Sequence, residues 1–267
     1  MHGRSHEHWH RPSEGPAGDG RGHARGRERR AQSLSRRAND EASVCERVLS
    51  DPRPDRVANA VLRERLYVIT DRRLTADLAD HLDRLLDGAP AGSVLVQLRE
   101  KDLDGRALFA LAEKIRAVTA RHQTRLLIND RIDVALTIGA DGVHLPENGL
   151  PIAAARALLG PQSLIGASTH SPEDALAAAA ADLVTIGPIW ETPSKTQFGV
   201  PLGLRVACRP NLFALGGIDN LKRGEEVMAA EYHGVAVVRA LMTATDPAQT
   251  CRSWVEVTAR ERTASPR

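Results

Sequence analysis

Aromatic residues are scarce in this chain, 3% of 267 positions. So few rings leave little to stack exposed nucleotide bases or to build the aromatic belts of a membrane interface. Cysteine is sparse as well: Cys45, Cys208 and Cys251 lie far apart and form no CxxC pair. That pattern argues against a disulfide framework or a thiolate zinc site and fits a reducing compartment. No stretch approaches the roughly 20 apolar residues of a membrane span. The first residues carry Arg, His and Gly where a secretory signal places its apolar segment. Charge of one sign is also missing, since 36 Lys and Arg face 34 Asp and Glu for a formal +2. Neither nucleic acid nor membrane is therefore expected as a partner, the expected location is cytoplasmic, and any anion must be held by a local cluster.

The chain divides by composition. Residues 1–60 are rich in Arg, His, Gly and Pro and nearly free of aliphatic side chains, so they are expected to be a disordered tail. Within it His6, His8 and His10 alternate, and Arg25 to Arg30 form a basic cluster. Both are read as solvated tail features, without a dedicated metal or nucleic-acid role. Residues 61–267 differ. From Leu66 onward come eight short apolar runs, "LYVIT", "SVLVQLR", "RLLIND", "DGVHL", "LIGAST", "LVTIGP", "NLFALGG" and "GVAVVRAL". Helical stretches separate them, such as "GRALFALAEKIRAVTARH", where Leu108, Leu111, Ala112, Ile115 and Val118 recur at helical spacing. Alternation of this kind with near-continuous apolar strands predicts a parallel sheet. Eight units in about 200 residues predict an α/β fold of the (β/α)8 TIM barrel type, with a doubly wound sheet as the runner-up. Helix starts are expected at Ser171-Pro172-Glu173-Asp174 and at Asp219.

In such a barrel the loops after the strands form the active face. Polar residues do collect there: Gln97, Arg99, Glu100 and Lys101 after the second run, Asn129 and Asp130 after the third, His144 in the fourth, and Ser168, Thr169 and His170 after the fifth. Thr192, Ser194 and Lys195 follow the sixth, Gly216 and Gly217 the seventh, and Val238 and Arg239 the eighth. Basic residues and hydrogen-bond donors predominate in that set, which predicts a site for phosphorylated small molecules with a magnesium ion. Gly216-Gly217 permits close backbone approach just before a helix, as phosphate binding requires.

The order of "LYVITD", "VQLREKD", "LLINDRIDVAL", "GADGVHLP", "IGASTHS", "GPIWETPSKT", "ALGGI" and "GVAVVRAL" resembles the thiamine phosphate synthase family, from Leu66 to the last helix. The resemblance implies a transferase of thiamine biosynthesis that joins an aminopyrimidine diphosphate to a thiazole phosphate and releases pyrophosphate. By the same resemblance Gln97, Arg99, Glu100, Lys101 and Asn129 would hold the pyrimidine diphosphate, and Lys195 would neutralise the leaving group. Ser168 would touch the pyrimidine. Thr192, Ser194, Gly216, Gly217, Val238 and Arg239 would surround the thiazole phosphate, and Asp130 would bind Mg2+.

Two positions depart from the family's pattern. Gly149, in "HLPENGLP", stands where a second magnesium carboxylate is usual, leaving Glu147 or Asn148 to substitute, and Arg239 replaces a small hydroxyl residue. Related thiazole tautomerases share most of these motifs, and in that reading His170 would move the proton. A third reading is a barrel without activity that senses a phosphorylated ligand.

Overall fold

The computed structural model describes residues 62–192, 200–204 and 209–259. The expected tail, residues 1–60, lies outside the described residues, as do Ser194 and Lys195.

Strands β1 (Leu66–Ile69), β2 (Val94–Leu98), β3 (Arg125–Asn129), β4 (Gly142–Leu145), β5 (Leu164–Thr169), β6 (Leu183–Ile186), β7 (Leu212–Leu215) and β8 (Gly234–Val237) pair in sequence order. All pairings are parallel, and β8 returns to β1, with Val235 opposite Leu66 and Val237 opposite Val68. That last pairing closes the barrel and excludes the doubly wound alternative. Each of the eight apolar runs supplies one strand; the eighth also enters a helix at Arg239.

The described helices are α1 (Leu78–Leu86), α2 (Gly105–Arg121), α3 (Ile132–Thr137), α4 (Ile152–Leu159), α5 (Pro172–Ala177), α6 (Leu221–Ala229), α7 (Arg239–Met242) and α8 (Pro247–Ala259). In α2 the helical spacing is realised: Leu108, Ala112, Ile115 and Val118 are buried, and Leu111 packs at the edge. Ser171 caps α5 by accepting from the Asp174 amide at 3.0 Å, with Pro172 in the first turn. The cap of α6 is one residue later than expected. Asn220 has the extended backbone of a cap and accepts from the Arg223 amide, whereas Asp219 bonds the side chains of Asn220 and Arg223.

Strand alternation sorts the core into two layers. Leu66, Val68, Val94, Val96, Leu126, Ile128, Val184, Ile186, Val235 and Val237 face the helices. Tyr67, Ile69, Leu95, Leu127, Leu183, Phe213 and Ala236 fill the barrel interior, and Leu62 joins them. Toward the strand ends the interior positions turn polar, at Gln97, Asn129, His144, Ser168 and Thr185. The polar layer is the floor of a cavity.

Candidate active site

A cavity of about 700 Å³ opens at the C-terminal ends of the strands, within the size range of small-molecule sites. Among its walls are Gln97, Arg99, Lys101, Asn129, Ser168, His170, Thr192, Gly216, Gly217, Val238 and Arg239. Thus, with His144, twelve residues named from the sequence are brought together, from seven different strands. Three described ones are not in the wall: Asp130, Glu100 and Thr169, whose buried hydroxyl donates to the Thr185 carbonyl at 3.1 Å. Asp130 is exposed beyond β3, at a positive φ of 64°. Glu100 corrects the expectation of a ligand contact: its carboxylate is buried, accepting from Thr70 Oγ1 at 2.6 Å and from the Arg72 amide at 3.1 Å. The reason is the strand period. Gln97, Arg99 and Lys101 share one face at alternate positions, and Leu98 with Glu100 takes the other.

Glu100 instead ties the end of β2 to the loop after β1. The same Thr70 hydroxyl accepts from the Arg99 amide at 3.0 Å, so the two loops are joined at Thr70. Burial raises the Glu100 pKa, opposed by the hydrogen bonds from Thr70 and Arg72. On the cavity face burial lowers the pKa of Lys101; the charge of Arg99 adds to this and Asp130 opposes it. Arg99 is lowered by burial too.

Sequence reasoning missed several wall residues. Asp71 and Arg73, after β1, pair through Arg73 Nε to Asp71 Oδ1 at 2.8 Å and Nη2 to Oδ2 at 2.9 Å. This bond holds the Asp71 carboxyl below its usual range. Polar residues just past an apolar run were the available signal, the one applied at the other strand ends. Glu147, Glu191 and Asp219 also share the wall, so the expected predominance of basic groups is tempered. Asp219 is engaged by Arg223 at 3.1 Å.

The two-glycine turn after β7 is built for close approach. Gly216 and Gly217 have φ of 99° and 71°, and a Cβ on Gly217 would lie 2.6 Å from Trp190 Cβ. Arg223 braces this turn by donating to the Gly217 carbonyl while its guanidinium lies 5.2 Å from the Trp190 ring centre. After β5, His170 donates Nδ1–H to the Gly187 carbonyl, which leaves Nε2 3.8 Å from the Glu147 carboxylate.

For magnesium the donor set is lean. Among the described residues no group of three His, Cys, Asp or Glu side chains could hold a metal ion. Asp130 supplies one carboxylate close enough to act on Lys101. Glu147 and Asn148 reach the cavity wall. Gly149 sits in a turn whose amide donates to the Pro146 carbonyl at 2.9 Å, and a Cβ there would lie 2.8 Å from the Pro146 ring. A carboxylate could not stand at that position without moving the turn. Such a set fits an ion that keeps several waters and takes its other ligands from phosphate oxygens.

No described helix is long and apolar enough to cross a membrane. The thiamine monophosphate synthase family model matches residues 66–241, the whole span from β1 into α7. Thiamine-phosphate synthase of Thermobifida fusca is 44% identical over 198 residues, covering 68% of this chain and 87% of the relative. That of Methanospirillum hungatei is 34% identical over 200 residues, covering 72% and 96%. A solved structure of thiamine phosphate pyrophosphorylase from Pyrococcus furiosus superposes with a TM-score of 0.63 at 29% identity, covering 74% of this chain and 96% of that one. With the family model matching most of the chain and relatives at 34% and 44% identity aligned over more than two thirds of it, this chain belongs to the thiamine monophosphate synthase family.

Proposed function

We propose that this barrel is a thiamine-phosphate synthase, a transferase that joins an aminopyrimidine diphosphate to a thiazole phosphate. The observation that carries the reading is one cavity lined on one side by Gln97, Arg99, Lys101, Asn129 and Ser168, and on another by the Gly216-Gly217 turn and Arg239. Two phosphorylated substrates need two such anion-holding walls facing a shared space.

In the reaction the bond between the pyrimidine methylene carbon and the diphosphate oxygen breaks, and its electron pair leaves with pyrophosphate. The thiazole nitrogen then donates its lone pair to the same carbon, forming the C–N bond of the product. Negative charge accumulates on the departing group, so Arg99 and Lys101 lower the barrier by interacting more strongly with the transition state than with the substrate. Lys195, outside the described residues, joins them by family resemblance. Gln97 and Ser168 orient the pyrimidine; Asn129 holds its diphosphate. The amides of Gly216 and Gly217, with the start of α7 at Val238-Arg239, hold the thiazole phosphate. Asp130 would bind Mg2+, which supplies charge neutralisation to the diphosphate when present.

The test is pyrophosphate release from the two substrates with Mg2+, followed with purified protein. Release dependent on both substrates is expected. Absence of release, with conversion of a carboxythiazole phosphate to its aromatic tautomer, would assign an isomerase instead.

A further inference from the structure

The barrel interior holds a phenol and an imidazole for which the proposed chemistry has no direct use. Tyr67 is fully buried in β1, and His144 of β4 is buried in the cavity floor. They stand in one line of hydrogen bonds. Gln97 Nε2 donates to Tyr67 Oη at 2.8 Å, Tyr67 Oη meets His144 Nδ1 at 3.1 Å, and His144 Nε2 meets Ser168 Oγ at 2.9 Å. Thr185 Oγ1 is a more distant second neighbour of Nε2, at 3.5 Å.

Counting protons gives the line a direction. Tyr67 accepts from the Gln97 amide, and burial pushes its pKa far above the ordinary phenol value, so its single proton is retained. That proton goes to His144 Nδ1, which must then be the bare nitrogen of a neutral ring. Nε2 carries the ring proton and donates it to Ser168 Oγ. Ser168 is thereby an acceptor below and keeps its own hydroxyl proton for the cavity. Gln97, with Nε2 committed to Tyr67, keeps Oε1 for the cavity as an acceptor. The chain also leaves space for the ring: Gly166 is paired with His144 in the β4–β5 register, and a Cβ there would come within 2.4 Å of Nδ1.

We propose that Tyr67 and His144 are positioning residues that set the hydrogen-bond polarity of the cavity floor, fixing Gln97 as acceptor and Ser168 as donor. The matching ligand is a ring that presents an exocyclic amine N–H to Gln97 and a bare ring nitrogen to Ser168. An aminopyrimidine has both, and an oxo analogue, with a carbonyl in place of the amine and a protonated ring nitrogen, has the reverse. The floor therefore selects the amino form over the oxo form. This inference rests on the proposed function for the identity of the ring, and on the hydrogen-bond line alone for its polarity.

Two measurements on the full chain test it. Nitrogen NMR of protein carrying labelled histidine should show His144 protonated at Nε2 and bare at Nδ1. The opposite tautomer, or a charged ring at neutral pH, overturns the proposal, and this reading needs no substrate. In kinetics, Tyr67→Phe keeps the ring's shape but lets the Gln97 amide turn and the imidazole change tautomer. The variant should raise KM for the aminopyrimidine diphosphate about tenfold, as loss of one oriented hydrogen bond does, with KM for the thiazole phosphate unchanged. Its preference over the oxo diphosphate should shrink by a similar factor. An unchanged preference, or equal losses toward both substrates, would overturn it. If the wild type turns over neither pyrimidine, the functional reading fails, and the NMR result still decides the polarity.

Discussion

At the scale of single residues, the "REK" triplet shows what sequence can and cannot reveal. Three consecutive charges look like one clamp, but a strand end presents neighbours to opposite sides, so Arg99 and Lys101 reach the cavity and Glu100 is buried behind them. The charges were legible; their facing depended on where the pleat continues past Leu98. Lys101→Ala should lower kcat on the order of 10² to 10³, more than it raises KM, since the charge it balances is greatest in the transition state. A steady-state comparison of the two constants checks this. If Lys101→Ala is near neutral while His170→Ala abolishes conversion of a carboxythiazole phosphate, proton transfer is the chemistry. The Lys101 pKa is lowered by burial and by Arg99, so its charged form is lost as pH rises through a value below the ordinary lysine range. The alkaline limb of kcat/KM should fall in that window and move upward in Lys101→Arg. Glu100 has the opposite sign of interest. Its folded pKa is raised, so the wild type should lose stability relative to Glu100→Gln as pH rises from the ordinary carboxyl range through the raised value. Glu100→Ala should cost about 3 kcal/mol in denaturant unfolding, because the buried Thr70 hydroxyl and the Arg72 amide lose their acceptor.

Among elements, the strands were the most legible part of the chain. Parallel strands covered on both sides need apolar residues at every position, and the eight runs stand out for that reason. The same uniformity concealed Tyr67, which reads as one more apolar residue in "LYVIT" yet carries the interior hydrogen-bond line. Helix caps were readable to within one residue: at α6 both Asp219 and Asn220 can cap, and backbone geometry chooses Asn220. The glycine pair after β7 was visible, but its bracing by Arg223 and Trp190 was not, since those residues lie on separate segments. The turn's shape depends on a missing side chain. Gly217→Ala would place a Cβ 2.6 Å from Trp190 Cβ at a φ of 71°. Its expected effect is a rise of at least about tenfold in KM for the thiazole phosphate, consistent with a backbone strain of about 1–3 kcal/mol. KM for the pyrimidine diphosphate, held at the other wall, should change little. Equal changes in both constants would mean the turn serves the whole cavity.

For the whole molecule, the separation of floor and mouth decides what the N-terminal segment can affect. Leu62, where the described chain begins, is buried in the barrel interior beside Phe213 and Leu183, and its amide donates to Asn211 Oδ1 at 3.0 Å. Asn211 precedes β7 and its side chain also donates to the Asp182 carbonyl before β6 at 2.9 Å. These contacts lie at the N-terminal ends of the strands, opposite the cavity. Residues 1–60 have too few aliphatic side chains to add to a core, and the first described residue, Leu62, packs at the face away from the chemistry. Deleting them should leave turnover and the cooperativity of unfolding nearly unchanged. Leu62→Ala in the shortened chain should instead cost about 2–5 kcal/mol, as emptying a buried leucine site does, with kcat and both KM values preserved in the folded fraction. Denaturant melts and steady-state kinetics on the same two variants separate these effects. A large fall in kcat on deletion alone, with unfolding unaltered, would mean that the segment reaches around to the mouth of the barrel and takes part in closing it.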